Sequence, residues 1–291
     1  MKTDFSQDQF EFDFSSADFN RLRGIVTSHT GIELTESKKT LMYTRLVKRL
    51  RALNLENFSS YANHVEQQLQ NGSEEEMMTM VNAMTTNVTS FFREIHHFKH
   101  LSENLEGLMQ TFGKLRIWCC AASTGEEPWS LAMVVGKYLK HNPQADIKIL
   151  ATDIDKDVLK VAEKGIYQLK KTDVTNNGLM RHFLLQQTEE VQSFTPDEAK
   201  YQIIPELKKI VSFQHQNLLH PLNLPEKEYH VVFCRNVIIY FSKETQRDVF
   251  RRIAPFMPGE SLLYIGHSES LLNVSNSFEN EARTTYRKKA V

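Results

Sequence analysis

Apolar positions fall into two regimes along this 291-residue chain. From Ser16 to about His100 they recur at helical spacing, and no run alternates as a strand would. "SSADFNRLRGIVTSHTG" opens on Ser and Asp residues suited to N-capping and closes at Gly31, a residue type that ends helices in a left-handed turn. "TESKKTLMYTRLVKRLRALNL" and "NFSSYANHVEQQLQNG" predict two more helices, the latter closed by Asn71 and Gly72. "SEEEMMTMVNAMTT" predicts a fourth, whose leading acids suit a helix N-terminus. After Leu115 short apolar runs alternate with amphipathic stretches, the signature of an α/β domain. "LRIWCCAA", "IKILATDID", "IVSFQHQNLL", "YHVVFCRNVIIYF" and "ESLLYIGH" predict strands; "PWSLAMVVGKYLKH", "KDVLKVAEKG" and "KETQRDVFRRIAPFM" predict helices.

The pattern therefore predicts a loosely held arm over residues 1–15, an all-α domain over 16–95 and an α/β domain over 96–291. Residues 166–209 are rich in polar clusters. Forty structureless residues inside a compact domain are unusual, so an inserted subdomain is expected at about 170–209. No internal repeat is present.

Composition narrows the function classes. A hydrophobic fraction of 41% supports one large or two domains. The net charge of -1 gives no global basic field for nucleic acid or anionic membrane, so any charge-based recognition must be local. No apolar run approaches the roughly 20 residues needed to span a bilayer, and "MKTDFSQDQFEFDF" lacks the basic start and apolar middle of a signal peptide. A cytoplasmic protein that does not insert into membranes is expected. Cys119, Cys120 and Cys234 lie in apolar contexts without metal-ligand spacing, which predicts buried, reduced thiols and no metal.

The informative chemistry lies in "CCAASTGEEPWS", residues 119–130, a strand running into a turn and then a helix. In a parallel sheet, ligands bind beyond the carboxyl ends of strands where the strand order reverses, and Ala121 to Glu127 occupies such a position. A dinucleotide turn would carry three glycines and offer its helix N-terminus to phosphate. Here there is one, Gly125, and Glu126 and Glu127 would repel phosphate. Thr124 and Glu127 also fit a capping box, so Glu127 has both a structural and a ligand-binding role open to it, while Glu126 is free to face solvent. "ATDID" places Asp153 at the end of the second strand, where an acid accepts hydrogen bonds from ribose hydroxyls. S-adenosylmethionine, with a ribose, a sulfonium cation and no phosphate, meets the combined demand.

The runs "TTNVTSFFRE", "WCCAASTGEEPWSLAM", "ATDIDKDVL", "GIY", "QNLL", "FCRNVIIYF" and "GHSES" resemble, in order and spacing, the chemotaxis receptor methyltransferases of the CheR type. The resemblance runs from about residue 85 almost to the C-terminus, and the helical N-terminal part is similar too. It implies an all-α domain followed by a Rossmann-like methyltransferase domain with a small inserted β-subdomain. The implied activity is methyl transfer from S-adenosylmethionine to glutamate side chains of chemoreceptors, leaving methyl esters and S-adenosylhomocysteine. It further implies that Asn87, Thr89, Arg93 and Ala121 contact the cofactor, that Glu127 and Asp153 hold its amino acid and ribose portions, and that Asn217 and Leu218 flank the adenine. Arg235, Asn236 and Tyr240 would close the pocket, with Arg93 and Tyr240 facing the reacting centre. Some relatives dock a receptor's C-terminal pentapeptide on a glycine-rich loop of the subdomain. "LLQQTEEVQSFTPDEAKYQII" has no glycine, which argues against tethering by that route.

On a helical wheel, at about 100° per residue, Lys38, Arg45, Lys48 and Arg49 cluster on one face, and Leu46, Val47, Leu50 and Leu53 on another. The receptor segments implied by the resemblance are acidic helical bundles, so the basic face is a candidate docking surface for a monomeric enzyme recruited to receptor arrays. A nicotinamide-dependent dehydrogenase is disfavoured by the missing glycines and paired glutamates. A methyltransferase of another substrate class, or a non-catalytic cofactor sensor, would not need the run from Asn87 to Glu94 or both Arg93 and Tyr240.

Overall fold

A computed structural model describes residues 11–85, 87–187, 195 and 197–290. The chain divides into two compact units: the first comprises the segment before Asn87 together with Tyr240–Ser242, and the second the remainder.

The first unit contains α1 (Ser16–Thr30), a 3-10 turn (Glu36–Lys38), α2 (Lys39–Ala52), α3 (Phe58–Gln70) and α4 (Glu75–Met84). α1 starts in a capping box between Ser15 and Asp18 and stops at Gly31, whose φ of 71° completes the expected left-handed cap. Phe19, Leu22, Met42, Leu46, Phe58, Tyr61 and Met80 form a wholly buried core among the helices. The Tyr240–Ser242 segment joins this unit through a bridge between Phe241 and Ile32. Residues 1–10 of the expected loose arm lie outside the described residues. Over 11–15 that expectation is corrected: the Phe14 ring lies 4.2 Å from Phe58, and Glu11 pairs with Arg51.

The basic face of α2 also differs from its expected role. Arg49 Nε and Nη2 donate to the Glu76 carboxylate at 3.0 and 2.5 Å, and the Tyr61 hydroxyl donates to the same group at 2.8 Å. Arg45 Nη1 donates to the carbonyls of Ala83, Met84 and Thr85 at 3.1, 3.0 and 2.7 Å, which are the acceptors a helix leaves open at its C-terminus. The two arginines thus brace opposite ends of α4, and Lys38 and Lys48 are the exposed members of the four. A wheel projection separates apolar from basic positions; it does not show that a neighbouring helix presents a buried acid.

The second unit opens at Asn87, upstream of the expected start at residue 96. It runs α5 (His96–Phe112), β1 (Leu115–Cys119), α6 (Glu126–His141), β2 (Ile147–Asp153) and α7 (Lys156–Lys164). An insertion follows: β3 (Ile166–Lys170), α8 (Lys171–Asn176), α9 (Gly178–Phe183), β4 (Leu184–Gln186), β5 (Glu198–Ile203) and α10 (Pro205–Lys208). The unit closes with β6 (Val211–His215), β7 (Val231–Phe233), α11 (Lys243–Ile253), β8 (Leu262–Tyr264), β9 (Phe278–Ala282) and β10 (Thr285–Lys288). The main sheet has the order β6-β2-β1-β7-β8-β10-β9, parallel through β8 and antiparallel beyond it. The central strands are buried on both faces, as their continuous apolar runs predict.

β3, β5 and β4 form a separate antiparallel sheet, so the expected insertion contains the small β-subdomain and begins at Ile166. Residues 188–194 and 196, in the glycine-free run, lie outside the described residues. Two strand expectations change. "YHVVFCRNVIIYF" is a strand only over Val231–Phe233, because Asn236 takes a φ of 55° that no strand accommodates. The β9–β10 hairpin carries mostly polar residues at the sheet edge, so it lacks the apolar run that marks the inner strands. No helix among the described residues is long and apolar enough to cross a membrane.

Glu76→Ala should lower stability by about 3 kcal/mol, because it strands Arg49 and the buried Tyr61 hydroxyl. Lys48→Ala should change it by less than about 0.5 kcal/mol. Urea unfolding followed by circular dichroism checks both.

Candidate functional site

The order of the main sheet reverses at β1, from which the chain goes first to β2 on one side and later to β7 on the other. A crevice at the carboxyl ends of these strands is where a doubly wound sheet binds its ligand. Beyond β1 the backbone stays tied to both neighbours: Cys120 N–H donates to the Phe233 carbonyl at 2.8 Å and Ala122 N–H to Thr152 at 2.9 Å. The turn then tightens through Ser123, with φ 49°, and Gly125, with φ 100°. A Cβ at Gly125 would stand 2.6 Å from the Tyr167 hydroxyl and 2.7 Å from Ala162 Cβ. The single glycine is therefore demanded by backbone conformation and by packing against α7 and β3. Tyr167 Oη also donates to the Thr124 carbonyl at 2.8 Å.

α6 begins at Glu126 without a side-chain cap. The capping box open to Thr124 and Glu127 does not form, since Thr124 Oγ1 donates instead to Glu126 Oε2 at 2.7 Å. Glu126 is consequently half-buried rather than solvent-facing, and burial raises its pKa against the lowering effect of the Thr124 bond. Glu127 is left for other partners. Both acids lie in the first turn, where they complement the helix dipole and occupy the position phosphate would need.

Asp153 ends β2 with its carboxylate buried. Oδ2 accepts from Ser123 N–H at 2.8 Å and Oδ1 from Asp155 N–H at 2.9 Å, so the acid sets the turn after β1 as well as its own. Burial pushes its pKa up to about 6, against the pull of these N–H groups. Asp155, also buried, caps α7 by accepting from Asp157 and Val158, and its Oδ2 accepts from Asn87 Nδ2 at 3.3 Å. Gln216 N–H donates to the Asp153 carbonyl at 3.0 Å, which ties in the turn carrying Asn217 and the buried Leu218. Asn217 Oδ1 caps that turn through Leu219 N–H at 2.9 Å.

A second cluster centres on Arg235, whose side chain is wholly buried. Its guanidinium lies against the Phe98 and Phe233 rings, 5.7 and 5.9 Å from their centroids. Nη1 bonds Glu127 Oε2, while Nη2 donates to the Arg93 carbonyl at 2.6 Å and stands 3.4 Å from Glu94 Oε2. Glu94 also accepts from His267 Nδ1 at 3.0 Å and Asn236 Nδ2 at 3.3 Å. Burial raises the Glu94 pKa, but the His267 bond and the Arg235 charge together outweigh it and hold the group at about 2. Two carboxylates thus share one guanidinium, with the His267 imidazole on Glu94 as well.

Arg93 sits between Phe92 and Glu94, both with positive φ (54° and 57°), and its Nη1 donates to the Val88 carbonyl at 3.0 Å. The strained turn is docked to α6 by Phe92 N–H donating to Ser130 Oγ at 3.0 Å. Cys119 Sγ donates to Glu127 Oε1 at 3.3 Å; all three cysteines are free and buried, and burial keeps the Cys119 thiol protonated. Glu94, His96 and His97 bring ligand-type atoms within 4.8 Å of one another. Burial and the nearby Arg235 charge hold the His97 pKa down at about 3.

The structure thus joins Asn87, Asp153 and the Asn217 turn in one network, and Arg93, Glu127, Arg235 and Asn236 in the other. Thr89 and Ala121 lie half-buried on the connecting segments. Tyr240 belongs to the first unit, where its carbonyl accepts from Glu33 N–H at 2.8 Å. The sequence pattern gives no individual role in the site to Ser123, within the Ala121–Glu127 turn, to Asp155, or to Glu94 at the end of the run from Asn87. Asp155 carried a signal, an N-cap residue directly before "KDVLKVAEKG"; Glu94 carried none for its actual partner, which lies far along the chain.

The chain matches the all-alpha domain of the CheR methyltransferases over residues 17–85 and their SAM binding domain over residues 87–287. A chemotaxis protein methyltransferase of Salmonella typhimurium is 37% identical, covering 94% of this chain and 90% of its own length. Chemotaxis protein methyltransferase 2 of Pseudomonas aeruginosa is 38% identical, covering 95% and 94%. A chemotaxis protein methyltransferase of Borreliella burgdorferi is 32% identical, covering 99% and 100%.

Gly125→Ala should cost about 2 to 4 kcal/mol, since both its φ and its neighbours exclude a Cβ. Gly107→Ala, in α5 with open space where the Cβ would go, should instead stabilise by about 0.5 to 1 kcal/mol. Equilibrium urea unfolding separates the two.

Proposed function

The chain belongs to the CheR methyltransferase family, and on that premise we propose that it methylates glutamate side chains of methyl-accepting chemoreceptors, releasing S-adenosylhomocysteine and leaving methyl esters. The observation that carries the proposal is the pairing of a buried ribose-type acceptor, Asp153, with an acidic cluster of Glu94 and Glu127 around one guanidinium. The bound cofactor supplies an electrophilic methyl group on a sulfonium.

A glutamate side chain has an unperturbed pKa of about 4.3, so the nucleophile is already ionised at neutral pH and no general base is needed. With the cofactor bound, its methyl group would pass to the carboxylate oxygen in exchange for the carbon–sulfur bond, and no proton would need to move. The protein's task is to strip water from the carboxylate and align it. Charge is annihilated along the reaction, so a full bidentate clamp on the nucleophile would stabilise the ground state more than the transition state. Arg93 fits a positioning role, because part of its donor capacity is spent on the Val88 carbonyl. Asp153, with one N–H on each oxygen, keeps lone pairs for ribose hydroxyls. Asn87, Thr89, Ala121, Asn217 and Leu218 complete the proposed cofactor contacts, and Tyr240 is the proposed second residue at the reacting centre.

The proposed receptor docking surface now rests on the exposed Lys38 and Lys48, since Arg45 and Arg49 are committed to α4. The enzyme would act as a cytoplasmic monomer recruited to membrane receptor arrays.

Receptor-containing membranes incubated with labelled methyl donor should acquire label that mild alkali releases; alkali-resistant label excludes a carboxyl ester. Arg93→Ala and Asp153→Ala should abolish transfer while the fold persists, and near-normal methylation by either folded variant removes its assigned role. Reversing Lys38 and Lys48 to Glu should raise the apparent KM for receptor at low salt without changing cofactor affinity. Ribose hydroxyls favour the ionised form of Asp153, so binding should lower its pKa. Affinity for S-adenosylhomocysteine should therefore be full above the free-state value of about 6 and weaken as pH falls below it, whereas Glu94, held at about 2, stays ionised across that range. Calorimetric titration across that interval reads the dependence.

A further inference from the structure

The loops after β7 and β8 carry a group that the chemistry above does not use. Glu269 is buried, and its carboxylate accepts from four backbone N–H groups. Oε2 accepts from Asn236 at 3.0 Å and from Gly266; Oε1 accepts from Ile238 at 3.0 Å and Ile239 at 3.3 Å. Four donors converging on two oxygens match a carboxylate, which can accept on every lone pair. Burial nevertheless raises the Glu269 pKa against the pull of those N–H groups.

The donors lie on two segments. Asn236, Ile238 and Ile239 follow β7, while Gly266 follows β8, and these strands are adjacent and parallel with Phe233 opposite Tyr264. Glu269 therefore brackets neighbouring loops at the carboxyl end of the sheet. Asn236 takes a φ of 55°, a left-handed conformation that asparagine tolerates better than most side chains, and the bracket holds its N–H there. The other wall is Gly266, where a Cβ would collide with Asn236 Nδ2 and stand 2.9 Å from Glu269 Oε2. Asn236 Nδ2 in turn bonds Glu94, and the preceding residue, Arg235, holds Glu127 and the Arg93 carbonyl.

We propose that Glu269 is a positioning residue for methyl transfer: by fixing the 235–239 loop through four backbone N–H groups, it sets the Arg235–Glu94–Glu127 cluster and, through it, Arg93. This rests on the function proposed above for the cluster, and it acts entirely through other residues. Glutamine at 269 keeps the size of the side chain but replaces one accepting oxygen with an amide NH2 that faces N–H donors.

Glu269→Gln, purified as the full chain, should show the circular dichroism of the parent protein. Its Kd for S-adenosylhomocysteine per folded molecule should rise about tenfold or more, and its kcat at saturating cofactor and receptor should fall by a similar factor. Glu269→Asp, which keeps the charge but draws the carboxylate back from its N–H donors by one methylene, should give the same pattern and decides the matter if Glu269→Gln does not fold. A merely structural role predicts fewer folded molecules with parental Kd and kcat per folded molecule, and that outcome overturns the proposal. The binding arm needs no receptor, so a parent enzyme that binds the product but fails to label receptors defeats the receptor assignment while still testing Glu269.

Discussion

The catalytic unit is organised around a buried positive charge. A guanidinium removed from water costs several kcal/mol unless its hydrogen bonds and charge are met, and removing one partner of such a group typically costs about 3 to 5 kcal/mol. Arg235 meets most of that demand with Glu127 from the start of α6, Glu94 and the Arg93 carbonyl from the turn before α5, and the faces of Phe98 and Phe233, while its Nε is buried without a hydrogen-bond partner. Three segments far apart in sequence are thereby held at one point of the crevice. The local structure of the crevice therefore depends on pairings that no single segment supplies.

Four of the eight non-glycine residues with positive φ among those described, Phe92, Glu94, Ser123 and Asn236, lie on turns that enter the two site networks. Each such residue costs on the order of 1 to 3 kcal/mol and is retained only where neighbouring bonds impose it. Here the bonds are identifiable: Ser130 on Phe92, Arg235 on Glu94, Asp153 on Ser123 and Glu269 on Asn236. The donors and acceptors that do the imposing come from regular elements or from buried side chains, which keeps the turns in register with the sheet.

Much of this was legible in the chain. The switch from helical spacing to short apolar runs located the two units approximately, and the single glycine with paired acids excluded a phosphate site before any geometry was known. Asp153 was legible because its place at a strand end is a local fact. The role of Glu127 was not, since a capping box and an ion pair begin from the same residue, and the choice turned on Arg235, which is distant in sequence. The partners of Arg45 and Arg49 within the helical unit were illegible for a similar reason: a wheel shows where charges project, but not that Glu76 and the end of α4 wait opposite. The polar β9–β10 hairpin was invisible because an edge strand needs little apolar surface.

Tyr167 carries one more consequence. It is part of β3, the first strand of the inserted sheet, yet its hydroxyl holds the Thr124 carbonyl and packs where Gly125 has no side chain. The insertion and the cofactor turn are thus geared together by a single phenol. The turn that opens α6 is therefore built by residues of both sheets, and the inserted strand is one of its walls rather than an appendage to it.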